Sequence, residues 1–132
     1  MLTGGCHCGA IRYEVRGEPL YHGLCHCTDC RRQVGAPMVS WALFPNDRLT
    51  IEGETTAYAS SENAQRHFCG TCGSSLFYTN PAVFPGMTDV CTATLDEPDA
   101  LPARVHVQTA ERIGWMENAH ALPQFERYPP QG

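Results

Sequence analysis

Residues 10–16 (AIRYEVR) alternate strictly, with Ile11, Tyr13 and Val15 on one side and Arg12, Glu14 and Arg16 on the other. That period of two predicts a half-buried β-strand. Residues 38–44 (MVSWALF) form an apolar run between Pro37 and Pro45 and predict a buried strand. Leu49–Glu52 and Thr56–Ala59 predict two short strands separated by Gly53, and Ser75–Thr79 (SLFYT) predicts another. Residues 88–95 (TDVCTATL) and 104–109 (RVHVQT) are rich in Val and Thr and alternate, which adds two more. Only two stretches look helical. Residues 29–34 have Thr28 as a candidate N-cap and Gly35 as a stop, and residues 98–101 make a turn that opens on Pro98. Short strands punctuated by Gly and Pro predict a mostly β domain with very little helix.

The length of 132 residues suits one domain, expected over 1–127, followed by a frayed tail at 128–132 (YPPQG). Charged residues are 17% of the chain and the net charge is -5; all nine basic residues are arginine and none is lysine. An acidic chain without lysine is poorly suited to tracking a phosphate backbone, so nucleic acid is not an expected partner. No apolar run reaches the ~18 residues of a membrane helix. The opening residues MLTGG lack the charged-then-apolar pattern of a secretory signal. A cytoplasmic location is therefore expected.

Eight cysteines change the picture. In a reducing compartment, clustered thiols point to metal ligands or catalysts rather than disulfides. Seven of the eight fall in three clusters: GGCHCG with Cys6 and Cys8, CHCTDC with Cys25, Cys27 and Cys30, and CGTCG with Cys69 and Cys72. A C-x-x-C in a tight turn brings two thiolates to one tetrahedral zinc at ~2.3 Å. The glycines beside it permit positive φ, so the backbone can wrap the metal and aim N–H groups at the sulfurs. In a C-x-C of extended backbone, positions i and i+2 share a face. Buried cysteines acting as small apolar fillers have no reason to adopt three such spacings.

Seven ligands make one complete four-cysteine site and one site of three. Spacing alone leaves the pairing of clusters open. The best staple joins two pairs across a long loop, which favours Cys6 and Cys8 with Cys69 and Cys72. Cys25, Cys27 and Cys30 then form an open site, Cys30 lying in the first turn of the short helix, where a thiolate is favoured. A closed four-ligand zinc is structural, whereas three protein ligands leave a position for water or substrate.

The run GGCHCGAIRYEV, then CHCTDCRR, then FCGTCGSSLFY, and a late segment over 105–125 containing Trp115 and ending LPQF, resembles the glutathione-dependent formaldehyde-activating enzyme family, also called the centromere protein V type domain. The likeness runs from about Leu2 to Phe125. It implies an Mss4-like zinc-containing antiparallel β fold. It also implies two zinc ions per chain: Cys6, Cys8, Cys69 and Cys72 match the structural ligands, and Cys25, Cys27 and Cys30 match the second, catalytic set. The implied reaction joins glutathione to formaldehyde as S-hydroxymethylglutathione, formally a carbon–sulfur lyase running backwards.

Zinc held by three thiolates carries a net negative charge, so its Lewis acidity is blunted. Holding a substrate thiol near an electrophilic carbon suits it better than hydrolysis. Arg31 and Arg32 follow the open cluster and are the candidates for gripping an anionic substrate such as glutathione. His26 is a candidate proton donor, although a spacer pointing away from the metal is the commoner role of such a position. Asp29 suits a helix N-terminus as well as catalysis. Cys91 is expected to fill space, and Trp41 and Trp115 to lie in the core. A non-catalytic zinc module, or a relative acting on another small electrophile, is the alternative. The discriminating feature is whether Cys91 or a histidine closes the open position. Of the two zinc ions, the second is expected to be the more easily lost, since three thiolates offset its desolvation less well than four.

Overall fold

A computed structural model describes residues 1–131. In chain order the elements are β1 (Leu2–Gly5), β2 (Arg12–Val15), β3 (Tyr21–Cys25), α1 (Thr28–Val34), β4 (Val39–Pro45), β5 (Leu49–Glu52), β6 (Thr56–Ala59), β7 (Gln65–Phe68), β8 (Ser75–Thr79), β9 (Met87–Cys91) and β10 (Val105–Val107). The strands form a three-stranded sheet, β1-β2-β5, and a seven-stranded sheet, β10-β3-β4-β9-β8-β7-β6. Neighbours pair antiparallel except β10, which lies parallel to β3. The mostly β expectation holds, and among the described residues the parallel pair is the one departure from the antiparallel plan that the resemblance implies.

Two cores explain how the sheets are arranged. β2 turns Tyr13 and Val15 inward, as its alternation predicts, and Ile11 precedes them on the same side. They pack on Ala42 and Phe44 of β4, Leu76 and Phe77 of β8 and Val90 of β9. Tyr13 and Phe77 meet edge to face, with ring centroids 5.3 Å apart, and so join one sheet to the other. Val39 and Trp41 face the opposite side of β4, where they pack with Cys25, Cys30 and Cys91. β4 is thus buried on both faces, which is why it reads as a continuous apolar run.

Several boundaries depart from expectation. Three strands have no pattern in the sequence: β1 (LTGG) is half glycine, β3 (YHGLC) has glycine at its centre, and β7 (QRHF) is mostly polar. Each is made a strand by the neighbours it pairs with. The run 88–95 is a strand only to Cys91, after which Thr92–Thr94 turns as a 3-10 helix with the Thr94 hydroxyl donating to the Cys91 carbonyl at 2.6 Å. The run 104–109 keeps just three strand residues, ending where Gln108 adopts φ 57°. α1 begins one residue early, and its N-cap is Cys27 rather than Thr28: the Cys27 sulfur accepts from the Cys30 N–H. Gly35 ends the helix in the left-handed conformation, as expected. Trp41 is core, but Trp115 is 63% exposed. It sits on the 3-10 segment Gly114–Ala121, which has no buried residue and lies on the surface. Of the tail, 128–131 lie outside helix and strand with Tyr128 exposed, and Gly132 lies outside the described residues.

Replacing Phe77 by alanine removes the ring that joins the sheets, and should cost about 3–5 kcal/mol of stability. Urea unfolding of the metal-loaded protein measures this. A loss below ~1 kcal/mol, the scale of a surface change, would contradict the packing described.

Candidate metal centres

The first centre joins the two sheets. Cys6 and Cys8 follow β1, while Cys69 and Cys72 occupy the turn between β7 and β8. One sulfur from each of the four lies within 4.8 Å of all the others. Cys6 and Cys8 sulfurs are 3.6 Å apart, and those of Cys8 and Cys69 3.7 Å. A tetrahedron with arms of ~2.3 Å has edges of about 3.8 Å, so these sulfurs already stand where a metal would hold them. A disulfide needs about 2.05 Å, and among the described residues all eight cysteines are free.

Local backbone geometry builds that cradle. The Cys69–Ser74 turn closes with Gly73 N–H on the Cys69 carbonyl at 2.8 Å and Cys69 N–H on the Ser74 carbonyl at 3.0 Å. Gly73 has φ 82°, which a side-chain-bearing residue would resist. The Ile11 N–H donates to the Cys6 sulfur at 3.2 Å, and the His7 N–H to the Ser74 hydroxyl at 3.0 Å. The latter bond ties one half of the cradle to the other. Hydrogen bonds from the Ser74 hydroxyl and backbone pull the Cys72 thiol down to about 5, so it is ready as a thiolate. Cys6 and Cys69 are buried; Cys8 and Cys72 reach solvent.

The second centre sits on the far face of the large sheet. Cys25 ends β3, Cys27 caps α1 and Cys30 lies in its first turn; their sulfurs also converge within 4.8 Å. Cys30 is drawn down to about 5, first by a hydrogen bond from Cys25 and then by the Arg66 guanidinium. Arg66 donates from Nη1 to the Cys30 sulfur at 3.5 Å. Cys25 moves the other way because it shares its proton with the Cys30 thiolate. One charge is thus already favoured among three thiols.

A cavity of about 340 Å³ opens on these three sulfurs. Trp41 and Tyr78, with rings 6.2 Å apart, supply apolar wall, and Arg66, Asp89 and Glu111 supply charge. Burial, and then the nearby Cys30 charge, push the Asp89 carboxyl up to about 7. Cys91 packs in the neighbouring core, where burial pushes its thiol up to about 11; it is not one of the converging ligands.

The remaining candidates are dispersed. Arg31 folds back on its own helix, with Nη2 on the Thr28 hydroxyl at 3.1 Å and Nε on the His26 carbonyl at 3.4 Å. Arg32 lines an adjoining depression together with Asp29 and Arg66. The arginine at the thiols is therefore Arg66, which sequence reasoning missed because β7 shows no strand pattern. Its one signal is an isolated arginine three residues before Cys69. His26 is buried and turned from the thiols toward His106, Nε2 to Nδ1 at 2.9 Å, and lines a separate cavity. His22 is a core histidine bonded to the Thr92 hydroxyl and the Pro102 carbonyl.

The family model described as glutathione-dependent formaldehyde-activating enzyme matches residues 1–111. The chain belongs to that family. The matched span takes in both thiol centres and Arg66, Asp89 and the cavity wall they share. A Halomonas elongata protein bearing the family's name is 29% identical over 127 residues, covering 89% of this chain and 80% of its own. An uncharacterized lyase of Schizosaccharomyces pombe is 33% identical over 79 residues, 58% of each chain. A crystal structure of a Rhodobacter sphaeroides protein superposes with a TM-score of 0.63 at 28% identity, covering 80% of this chain and all of that one.

The two centres of this family member differ in what they hold together, so their loss should differ too. Cys69→Ala breaks the link between sheets and should abolish cooperative thermal unfolding, because a metal bound only by the folded state contributes its binding energy to folding. Cys30→Ala should retain a sharp melt while metal content falls by one equivalent. Paired melts and elemental analysis test this. Equal loss of stability in both variants would contradict the division.

Proposed function

We propose that the protein is a zinc-dependent enzyme of the carbon–sulfur lyase type that joins a small thiol to a small aldehyde, glutathione to formaldehyde in the first instance. The observation that carries this reading is the cavity at Cys25, Cys27 and Cys30: three converging sulfurs face open space rather than a fourth protein ligand. The donor set of both centres is wholly sulfur at tetrahedral spacing, which suits zinc. Cys6, Cys8, Cys69 and Cys72 would hold a structural ion, and Cys25, Cys27 and Cys30 a catalytic one. Zinc at the latter site would bind the substrate thiol and favour its thiolate.

The chain's own residues supply the rest. The hydrogen bond from Cys25 and then the Arg66 guanidinium favour the Cys30 thiolate, the form that binds metal. Trp41 and Tyr78 give the cavity an apolar wall, and polar contacts made against it are stronger than in bulk water. Proximity then converts a bimolecular encounter of thiol and aldehyde into a local one. The alternative of a closed, non-catalytic module is disfavoured because neither Cys91 nor His26 joins the three sulfurs. Free thiols throughout fit a reducing compartment such as the cytoplasm. No helix among the described residues is long and apolar enough to cross a membrane.

Exchange spectroscopy on a glutathione and formaldehyde mixture should show adduct formation accelerated by the zinc-loaded protein, and Cys27→Ala should return the rate to background. A rate equal to the uncatalysed one with both centres filled would rule out formaldehyde and glutathione as substrates.

A further inference from the structure

Four buried side-chain polar atoms lack a hydrogen-bond partner among the described residues, and two of them line the cavity of the second centre: Arg66 Nε and Asp89 Oδ1. One is a donor and the other an acceptor. Leaving either buried and unpaired is costly, so a group that satisfied both at this cavity wall would be favoured there.

The sheet register shows how the pair is built. Arg66 of β7 lies directly opposite Tyr78 of β8, and Tyr78 lies directly opposite Asp89 of β9. Residues in such a row point to the same face, and each strand step is about 4.8 Å. Arg66 and Asp89 therefore flank Tyr78 at two strand spacings, about 10 Å between backbones. The Arg66 guanidinium lies over the Tyr78 ring, 4.9 Å from its centroid, and its Nη1 is committed to the Cys30 sulfur. These two contacts orient the fork, and Nε is its buried donor without a partner. No ion pair closes between Arg66 and Asp89. Arg66, Tyr78 and Asp89 all line the cavity that opens on the thiol centre.

We propose that Arg66 and Asp89 form an oxygen subsite that binds the hydroxyl group of the thiol–aldehyde adduct: Arg66 Nε donates to that oxygen and Asp89 Oδ1 accepts its hydrogen. A hydroxyl is a small group that both accepts and donates through one atom, as an unpaired donor facing an unpaired acceptor in one cavity requires. The inference rests on the reading of the site as one for thiol–aldehyde adducts and specifies its polar recognition. As the thiol adds, the new C–S bond takes the sulfur electron pair, the carbonyl π pair moves to oxygen, and the thiol's proton ends on that oxygen. The subsite is matched to the resulting hydroxymethyl group, so an adduct is bound in preference to a thioether of the same size. Sites that hydrogen-bond a substrate hydroxyl reject the analogue lacking it, because their own buried groups are then left unpaired.

Competition binding to the zinc-loaded full chain, followed by saturation-transfer NMR, tests this. The probes are S-methylglutathione and the adduct present in an equilibrated mixture of glutathione and ¹³C-formaldehyde. The wild-type protein should prefer the adduct by about tenfold or more. Asp89→Leu should erase that preference while zinc content stays unchanged and S-methylglutathione affinity does not fall, and Asp89→Asn, which keeps an acceptor oxygen, should restore part of it. Asp89→Ala makes the same test should the leucine disturb folding. A full preference surviving in a folded, zinc-loaded Asp89 variant overturns the subsite alone, as does a wild type that binds both probes equally. If the wild type binds neither probe, the proposed function falls and takes the subsite with it.

Discussion

Four sulfurs from two distant stretches of chain meet within 4.8 Å, and the fold is organised around that meeting. Cys8 and Cys69 are 61 residues apart, so bringing them together closes a long loop whose entropic cost must be offset by something that binds only when it is closed. A metal on four thiolates would provide that offset, and the edge-to-face pair of Tyr13 and Phe77 supplies the apolar contact behind it. With the small sheet fastened in this way, the opposite face of the large sheet is free to carry α1 and the second thiol centre.

Electrostatics separates the two centres. Three thiolates near one another repel, and the chain as a whole is acidic, with a net charge of -5. At the first centre, backbone and Ser74 hydrogen bonds support the charge, and solvent reaches two of the ligands. At the second, a buried arginine does so. Arg66 is 5% exposed, stacked on Tyr78 and bonded to Cys30. Guanidinium is the cation suited to this place, since it stays charged when buried and offers several donors in one plane.

How much of this was legible depends on the kind of signal. The cysteine spacings carried both clusters, because ligand geometry imposes its own local pattern, and their pairing followed from family resemblance and from the staple argument. β2 was visible because its buried residues alternate, and β4 because a strand buried on both faces reads as an unbroken apolar run. β1, β3 and β7 were not, since LTGG, YHGLC and QRHF owe their conformation to partners far along the chain. Arg66 was hidden with β7: an arginine in a polar tetrapeptide looks solvated until the sheet places it beside Cys30. Asp89 lies inside a predicted strand but owes its role to cross-strand neighbours. Trp115 failed in the opposite direction, since an aromatic residue suggests a core only where a second element is present to cover it.

Zinc K-edge X-ray absorption on the fully loaded protein tests the central claim most directly. One closed four-thiolate centre and one three-thiolate centre predict an averaged first shell of about 3.5 sulfurs at ~2.3 Å, completed by a light oxygen or nitrogen scatterer. A pure four-sulfur shell would mean that Cys91 closes the second centre, and the imidazole signature of a coordinated histidine would mean that a histidine does. Either result would contradict an open site.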